Sequence, residues 1–370
     1  MPATSPARRR FLQLSGATVA LGASGLLGRT ASAAPAPAPA PADGPVFLNF
    51  NECPLGASEA AQQAAQAGLR NAGRYQFGLA KQVAAQLAQH EGLATDQVRL
   101  CVGASEALNL AAQLLTSPGA SLVMATPTFD ACADVATARG ARVIGVPLRA
   151  DGSHDVAAMA AADPNAGLIY LCNPNNPTGT LSAEADIRWL LAHKPAGAVL
   201  LVDEAYIQYS DATSMTHALA GRDDLMVVRS FSKIYGLAGL RLGVIFASPA
   251  LLLRLRGMGN TPLPVPALLA AQASLAEPHL VAHRRAENEL TRAATLAWLA
   301  AAGIAHLPSH TNFVLLDLQR EAKPVIEALR DRQVHVGAPL KPWPNHLRVT
   351  AGTASDMQRF HRALAQVLAV

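Results

Sequence analysis

Arg229-Ser230-Phe231-Ser232-Lys233-Ile234-Tyr235-Gly236-Leu237-Ala238-Gly239-Leu240-Arg241 continues the apolar run that begins at Leu225, and its reading decides how the rest of the chain is understood. A lysine on a turn flanked by hydroxyls, with a guanidinium eight residues on, can hold an aldehyde covalently while Ser230, Ser232 and Arg241 bind a nearby phosphate dianion. An isolated lysine is more often a solvated surface charge. Here Gly236, Gly239 and the apolar surround suit a tight turn with close backbone approach rather than a surface strand.

Three other segments end apolar runs in the same way. Residues 198–202 lead into Asp203-Glu204-Ala205-Tyr206, where a carboxylate at a strand end can keep a pyridine nitrogen protonated and Tyr206 can bond a phenolic oxygen. Asp203 alone reads equally well as a helix N-cap. Residues 167–172 lead into Asn173-Pro174-Asn175-Asn176-Pro177-Thr178-Gly179, whose two Asn-Pro steps force a rigid non-helical turn carrying amide donors. Gly103-Ala104-Ser105-Glu106 joins a strand to a helix, so its backbone N–H groups and the Ser105 hydroxyl can meet a phosphate at a helix N-terminus, or simply cap the helix.

Apolar runs at 98–102, 121–125, 141–146, 167–172, 198–202, 225–229 and 242–247 alternate with segments of helical period at 105–115, 129–139 and 155–161. That pattern predicts an α/β fold: a mostly parallel sheet covered by helices on both faces, with ligands bound beyond the strand ends. The Pro-interrupted stretch around 260–266 marks a lobe boundary. Beyond it come a long Ala- and Leu-rich helical stretch at 267–302 broken near Pro278, strands at 312–317 and 346–350, and helices at 323–331 and 355–368. These make a smaller α+β C-terminal lobe.

Taken together, the segments resemble the fold-type I pyridoxal-phosphate aminotransferases, class I/II, in their histidinol-phosphate aminotransferase-like branch. NPNNPTG, DEAY, SFSK followed by GLAGLR, and LRVTAGT occur in that family's order, and the likeness runs from Leu48 to the C-terminus. The resemblance implies pyridoxal 5'-phosphate as cofactor, Lys233 as the Schiff-base residue and general base, and Asp203 on the ring nitrogen. It implies Asn176 and Tyr206 on the ring oxygen and Phe129 stacked on the ring. Ala104, Ser105, Ser230, Ser232 and Arg241 would contact the phosphate. Tyr75 would reach in from a second subunit of a homodimer, and Arg348 would hold the substrate α-carboxylate. A guanidinium suits that last task independently, because it grips a carboxylate in a bidentate fork. The partners implied are an amino acid and a 2-keto acid.

The likeness thins at the substrate's far end. In Leu48-Asn49-Phe50-Asn51-Glu52-Cys53-Pro54-Leu55-Gly56, Cys53 stands where some members of the branch carry a Tyr near the substrate phosphate. Gly337 stands where the branch usually has an Arg. A site without those groups binds a phosphomonoester poorly, since charge-assisted contacts supply much of the discrimination. Lys341 or Arg332 could compensate, though each reads more simply as a solvated charge. Two other readings stand beside transamination: an amino-acid decarboxylase of the same fold, and a non-catalytic exported binding protein, for which Lys233 would be superfluous.

The chain has 370 residues, 51% hydrophobic and 15% charged, enough for a large core. Its formal charge of +4 comes from Arg8, Arg9, Arg10 and Arg29; without residues 1–33, which hold no acid, 30 − 4 = 26 basic residues face 26 acidic ones. A nucleic-acid partner thereby loses its electrostatic argument. The arginines precede an uncharged apolar run and Ala31-Ser32-Ala33, which resembles a twin-arginine export signal over 1–33 and predicts a periplasmic protein with no stable membrane anchor once the signal is removed. A Pro/Ala linker over 34–45, an N-terminal segment over 46–70 packing on the active site and small lobe, a large cofactor domain over 71–260 and a small domain over 261–370 complete the expected organisation. Cys53, Cys101, Cys132 and Cys172 show no paired spacing, so no metal site is expected.

Overall fold

The computed structural model describes residues 44–259 and 261–369. The expected export signal and nearly all of the linker lie outside the described residues. In chain order the strands are β1 (Val46–Leu48), β2 (Val98–Cys101), β3 (Ser121–Thr126), β4 (Val143–Pro147), β5 (Ala166–Cys172), β6 (Val199–Asp203), β7 (Leu225–Ser230), β8 (Gly243–Ala247), β9 (Ala305–His306), β10 (Phe313–Asp317), β11 (Val334–Val336) and β12 (His346–Thr350). The helices are α1 (Glu59–Leu69), α2 (Phe77–Glu91), α3 (Ala104–Leu115), α4 (Ala131–Ala138), α5 (Val156–Ala161), α6 (Glu184–His193), α7 (Pro249–Arg256), α8 (Val265–Ala276), α9 (Leu280–Ala301), α10 (Ala322–Asp331) and α11 (Ala354–Leu368).

Seven strands form one sheet in the order β2-β8-β7-β6-β5-β3-β4, parallel throughout except for β8, which runs against both its neighbours. The near-continuous apolar runs are explained by burial on both faces. Along β6, Leu200 and Val202 enter the core on one face, while Val199 and Leu201 enter the core on the other. The edge strand β4 is mostly exposed and ends on Pro147, where a missing donor costs nothing. Since β2 and the parallel strands share one direction, the segments after β2, β5, β6 and β7 all emerge at the same edge.

A smaller antiparallel sheet, β12-β10-β9, and the parallel pair β1-β11 share a third core with α10 and α11. The long helical stretch expected from sequence breaks at Glu277–His279, next to Pro278, into α8 and α9. Helix α8, although it follows the Pro-rich stretch, contributes Val265, Leu268 and Leu275 to the core of the large sheet and packs on α1. The structure is thus a large, mostly parallel sheet flanked by helices, with a smaller C-terminal α+β part. Among the described residues no helix is long and apolar enough to cross a membrane, and no group of His, Cys, Asp and Glu could hold a metal ion.

Candidate active site

At the shared strand edge lies a cavity of about 450 Å³, within the usual range for small-molecule sites. It is lined by Phe50, Asn51, Glu52, Ala104, Ser105, Leu108, Phe129, Cys172, Asn176, Asp203, Ala205, Tyr206, Ser230, Ser232, Lys233, Ala238, Gly239, Arg241 and Arg348. Every residue expected to hold the cofactor or the substrate carboxylate is in this wall except Tyr75, and Cys53 is absent from it.

Asp203 ends β6 and is 2% exposed. Its Oδ1 accepts the Ala205 N–H at 3.0 Å and its Oδ2 accepts the Tyr170 hydroxyl at 2.9 Å. Burial drives its carboxyl up to about 6, against the two donors, which stabilise the anion. Lys233 is half-buried, with Nζ donating to the Phe50 carbonyl at 2.9 Å and lying 5.7 Å from the Tyr206 ring centre. Desolvation, and then the Arg348 charge, bring its amine down to about 8. A lysine so placed offers a usable fraction of neutral amine at ordinary pH.

The opposite end of the cavity is an anion cradle. Arg241, at φ 61°, extends Nη1 to the Ala238 carbonyl at 2.9 Å and to Ser232 Oγ at 3.4 Å. Ser230 Oγ accepts the Ser232 N–H at 3.1 Å. Helix α3 begins here, with Gly103 at φ +82°, and a Cβ on Gly103 would stand 2.4 Å from the Arg241 guanidinium. Glycine is needed at 103 both for its backbone angle and for the room it leaves the cation. Helix N-terminus, two hydroxyls and an arginine together fit a phosphate dianion.

Arg348, from β12, closes the site. Its Nη1 donates to Asn176 Oδ1 at 2.7 Å and its Nη2 to the Asn49 carbonyl at 2.9 Å, while Nε is buried without a partner among the described residues. Its guanidinium lies 5.7 Å from the Phe313 ring centre. Tyr206 accepts a 3.0 Å bond from Asn51 Nδ2, and Asn51 is itself held by Thr350 and Asn312. The N-terminal segment is thereby tied to the small sheet and laid across the cavity.

Cys53 is not brought in, and Tyr75, expected to serve a second subunit, lies away from this chain's own cavity. Cys53 does not line the cavity; its Sγ lies 3.9 Å from Nη1 of Arg284. Tyr75 is 76% exposed and stacks on Phe77, lining a separate groove with Arg74 and Pro262. Arg332 and Lys341, the candidate compensating cations, are both exposed and line no part of the cavity.

Sequence reasoning missed three residues around this site. Arg284, buried in α9, donates to the Ile234 and Gly56 carbonyls at 2.7 Å each, fastening the lysine turn to the N-terminal segment. In a helix otherwise rich in charged residues it carried no signal. Asn51 sat inside a quoted motif without a role. Tyr170 lay hidden in an apolar run, where a tyrosine is ordinary strand composition.

A lysine turn, a buried acid and an anion cradle at the C-terminal edge of such a sheet define the fold-type I pyridoxal-phosphate enzymes. The description "Aminotransferase class I and II" matches residues 45–364, and the chain belongs to that family. It is similar to the histidinol-phosphate aminotransferase of Symbiobacterium thermophilum, 40% identical over 331 residues, covering 87% of this chain and 90% of that protein. The provisionally named histidinol-phosphate aminotransferase of Erwinia carotovora atroseptica superposes with TM-score 0.84 at 29% identity, covering 88% of this chain and 96% of that one. In fold it also matches the Sinorhizobium meliloti histidinol-phosphate aminotransferase solved with pyridoxal-5'-phosphate, TM-score 0.83 at 24% identity, covering 88% of this chain and 90% of that one. The chain is a pyridoxal-phosphate-dependent aminotransferase of the histidinol-phosphate aminotransferase-like branch.

Proposed function

We propose that this enzyme moves an amino group between an amino acid and a 2-keto acid, that Lys233 is its covalent and proton-moving residue, and that its substrates are not phosphomonoesters. The observation that carries the reading is the convergence of Lys233, Asp203 and Arg348 on one cavity that ends in a phosphate cradle.

When bound, pyridoxal phosphate supplies an aldehyde for the amine and a protonated ring that draws electrons from the substrate Cα. Ser105, Ser230, Ser232, Arg241 and the N-terminus of α3, with Ala104 at its start, would hold the phosphate. Asp203 would keep the ring nitrogen protonated, Asn176 and Tyr206 would bond the ring oxygen, and Phe129 would lie against the ring. Arg348 binds the α-carboxylate and so orients the Cα–H bond toward Lys233. Lys233 Nζ, facing that bond, would take the proton from the substrate Cα and deliver it again during the transfer. Water would release the first 2-keto acid, and the same residues would serve a second keto acid in the reverse direction.

The limit on substrate rests on charge and space. The cations of the cavity wall are Lys233, Arg241 and Arg348, each with a task, and Glu52 adds a carboxylate. Gly337 donates its N–H to the Arg348 carbonyl, and a Cβ there would stand 2.7 Å from that oxygen. No side chain fits at 337 without moving the strand that carries Arg348.

Single-turnover bleaching of the bound cofactor by a panel of amino acids, with histidinol phosphate included, tests both halves. Keto-acid release with matching conversion of cofactor, and histidinol phosphate slower than the best amino acid, is expected. Carbon dioxide release would favour the decarboxylase, and no turnover the binding protein; histidinol phosphate as the fastest substrate would overturn the limit.

Residues 1–33 are proposed to export the folded protein by the twin-arginine route to the periplasm. Export that survives Arg8→Lys with Arg9→Lys in a fusion would count against it. Tyr75, exposed beside the Pro262 groove, supports a homodimer in which it serves the partner's site.

A further inference from the structure

Tyr170 is buried completely in the middle of β5, within a run of apolar residues. A phenylalanine would fill the same space, and a buried hydroxyl costs free energy unless it is bonded. Its hydroxyl donates to Asp203 Oδ2 at 2.9 Å. The register of the sheet sets this up: Cys172 pairs with Asp203 on the neighbouring strand, and Tyr170, two residues back, shares its face.

We propose that Tyr170 is a positioning residue that holds the Asp203 carboxylate ionised and aimed, and thereby sets how strongly the bound cofactor withdraws electrons. The inference rests on the reading of Asp203 as the partner of the ring nitrogen. Each oxygen of Asp203 takes one donor, Tyr170 on Oδ2 and the Ala205 N–H on Oδ1, which leaves lone pairs free to face a ligand.

An acid facing a pyridine in an apolar pocket has two arrangements: carboxylate with pyridinium, or neutral acid with neutral pyridine. Hydrogen bonds to the carboxylate favour the first, and desolvation favours the second. The groups around Asp203 are Glu204, which opposes its ionisation, and Lys233, which supports it. Burial holds the Cys132 and Cys172 thiols protonated on the same face. Burial, with Asp203 nearby, also pushes the Tyr170 phenol well above its ordinary range, so it stays a donor at any working pH. Glu204 is committed elsewhere, accepting from Arg229, Ser214 and the Met215 N–H. The phenol is thus the one side-chain donor on Asp203 among the described residues.

The holoenzyme tests this through the pH midpoint of its visible absorbance, which moves up when the ring withdraws electrons less strongly. Tyr170→Phe should raise that midpoint by about 0.7 unit, the worth of one ordinary hydrogen bond. It should lower kcat several-fold and leave the KM for the amino acid within about twofold. 3-Fluorotyrosine at position 170 keeps the shape and strengthens the donor, so it should move the midpoint down, which keeps the test open if Tyr170→Phe folds poorly. In an Asp203→Asn background neither replacement should move it. A midpoint unmoved by both, or moved equally in the Asp203→Asn background, would overturn the role of Tyr170. If Asp203→Asn alone leaves the midpoint where wild type has it, the underlying reading of Asp203 fails instead, and that result is in hand before position 170 is changed.

Discussion

The floor of the cavity and its rim are built differently. The floor comes from strand ends of one sheet: Asp203 at the end of β6, Ser230 at the end of β7 with Lys233 just beyond it, and Ala104 and Ser105 after β2. Its polar groups are satisfied in place, with Asp203 doubly bonded and Arg241 tied to its own loop. The rim joins Phe50, Asn51 and Glu52 to Arg348 across most of the chain, and Arg348 Nε is left buried without a partner among the described residues. A floor satisfied in advance suits a permanent ligand, whereas a rim with an unpaired buried donor suits one that comes and goes. On this view the chemistry is fixed by the floor and the choice of substrate by the rim.

The sharpest way to break the comparison is to remove the floor's central group. Lys233→Ala should lower kcat by roughly 10⁴-fold, the upper range for a lost acid–base residue, with the cofactor still held noncovalently; steady-state kinetics and absorbance check it. Next comes the charge network beneath the floor, where Arg229 sits between Glu91 and Glu204. Arg229→Ala leaves the buried Glu204 and the half-buried Glu91 without their cation, so stability should fall by about 3 kcal/mol, read by thermal and denaturant unfolding. At the rim, Arg348→Lys gives up the bidentate grip that binds and orients the carboxylate, so kcat/KM for amino and keto acids should fall by roughly thirtyfold, with KM raised and kcat lowered.

The smallest effect is one of pH. Because the Lys233 amine lies at about 8 in the fold instead of 10.5, its neutral form appears as pH rises through 8. The rate of cofactor uptake by cofactor-free protein should therefore climb by about tenfold between pH 7 and 9, followed by stopped-flow absorbance. The sign for stability follows. Between about 8 and 10.5 the unfolded chain holds a proton that the fold lacks, so this group's contribution rises with pH over that window. A pH-independent uptake rate would show that the amine is not desolvated as the geometry requires.

The floor was legible in the sequence because each of its strands is a short apolar run that ends on a polar segment, and those segments follow one another at one sheet edge. The rim was less legible. Strands β1 and β11 have three residues each, too few for a period, and they pair across nearly the whole chain. The family resemblance puts Cys53 near the substrate, but the turn at Asn51, with φ 54°, directs the backbone so that Glu52 lines the cavity and Cys53 faces Arg284. Arg284 and Tyr170 act through groups distant in sequence, on a helix and in a strand where their residue types are unremarkable. Sheet periodicity reports what is buried; it does not report which buried hydroxyl meets which acid.

The central claim is a covalent bond at one residue, and the direct measurement is borohydride reduction of the reconstituted enzyme followed by peptide mapping. A single phosphopyridoxyl label on the peptide containing Lys233, lost in Lys233→Ala, is the predicted result. A label on another lysine, or none on a protein that still turns over amino acids, would contradict it.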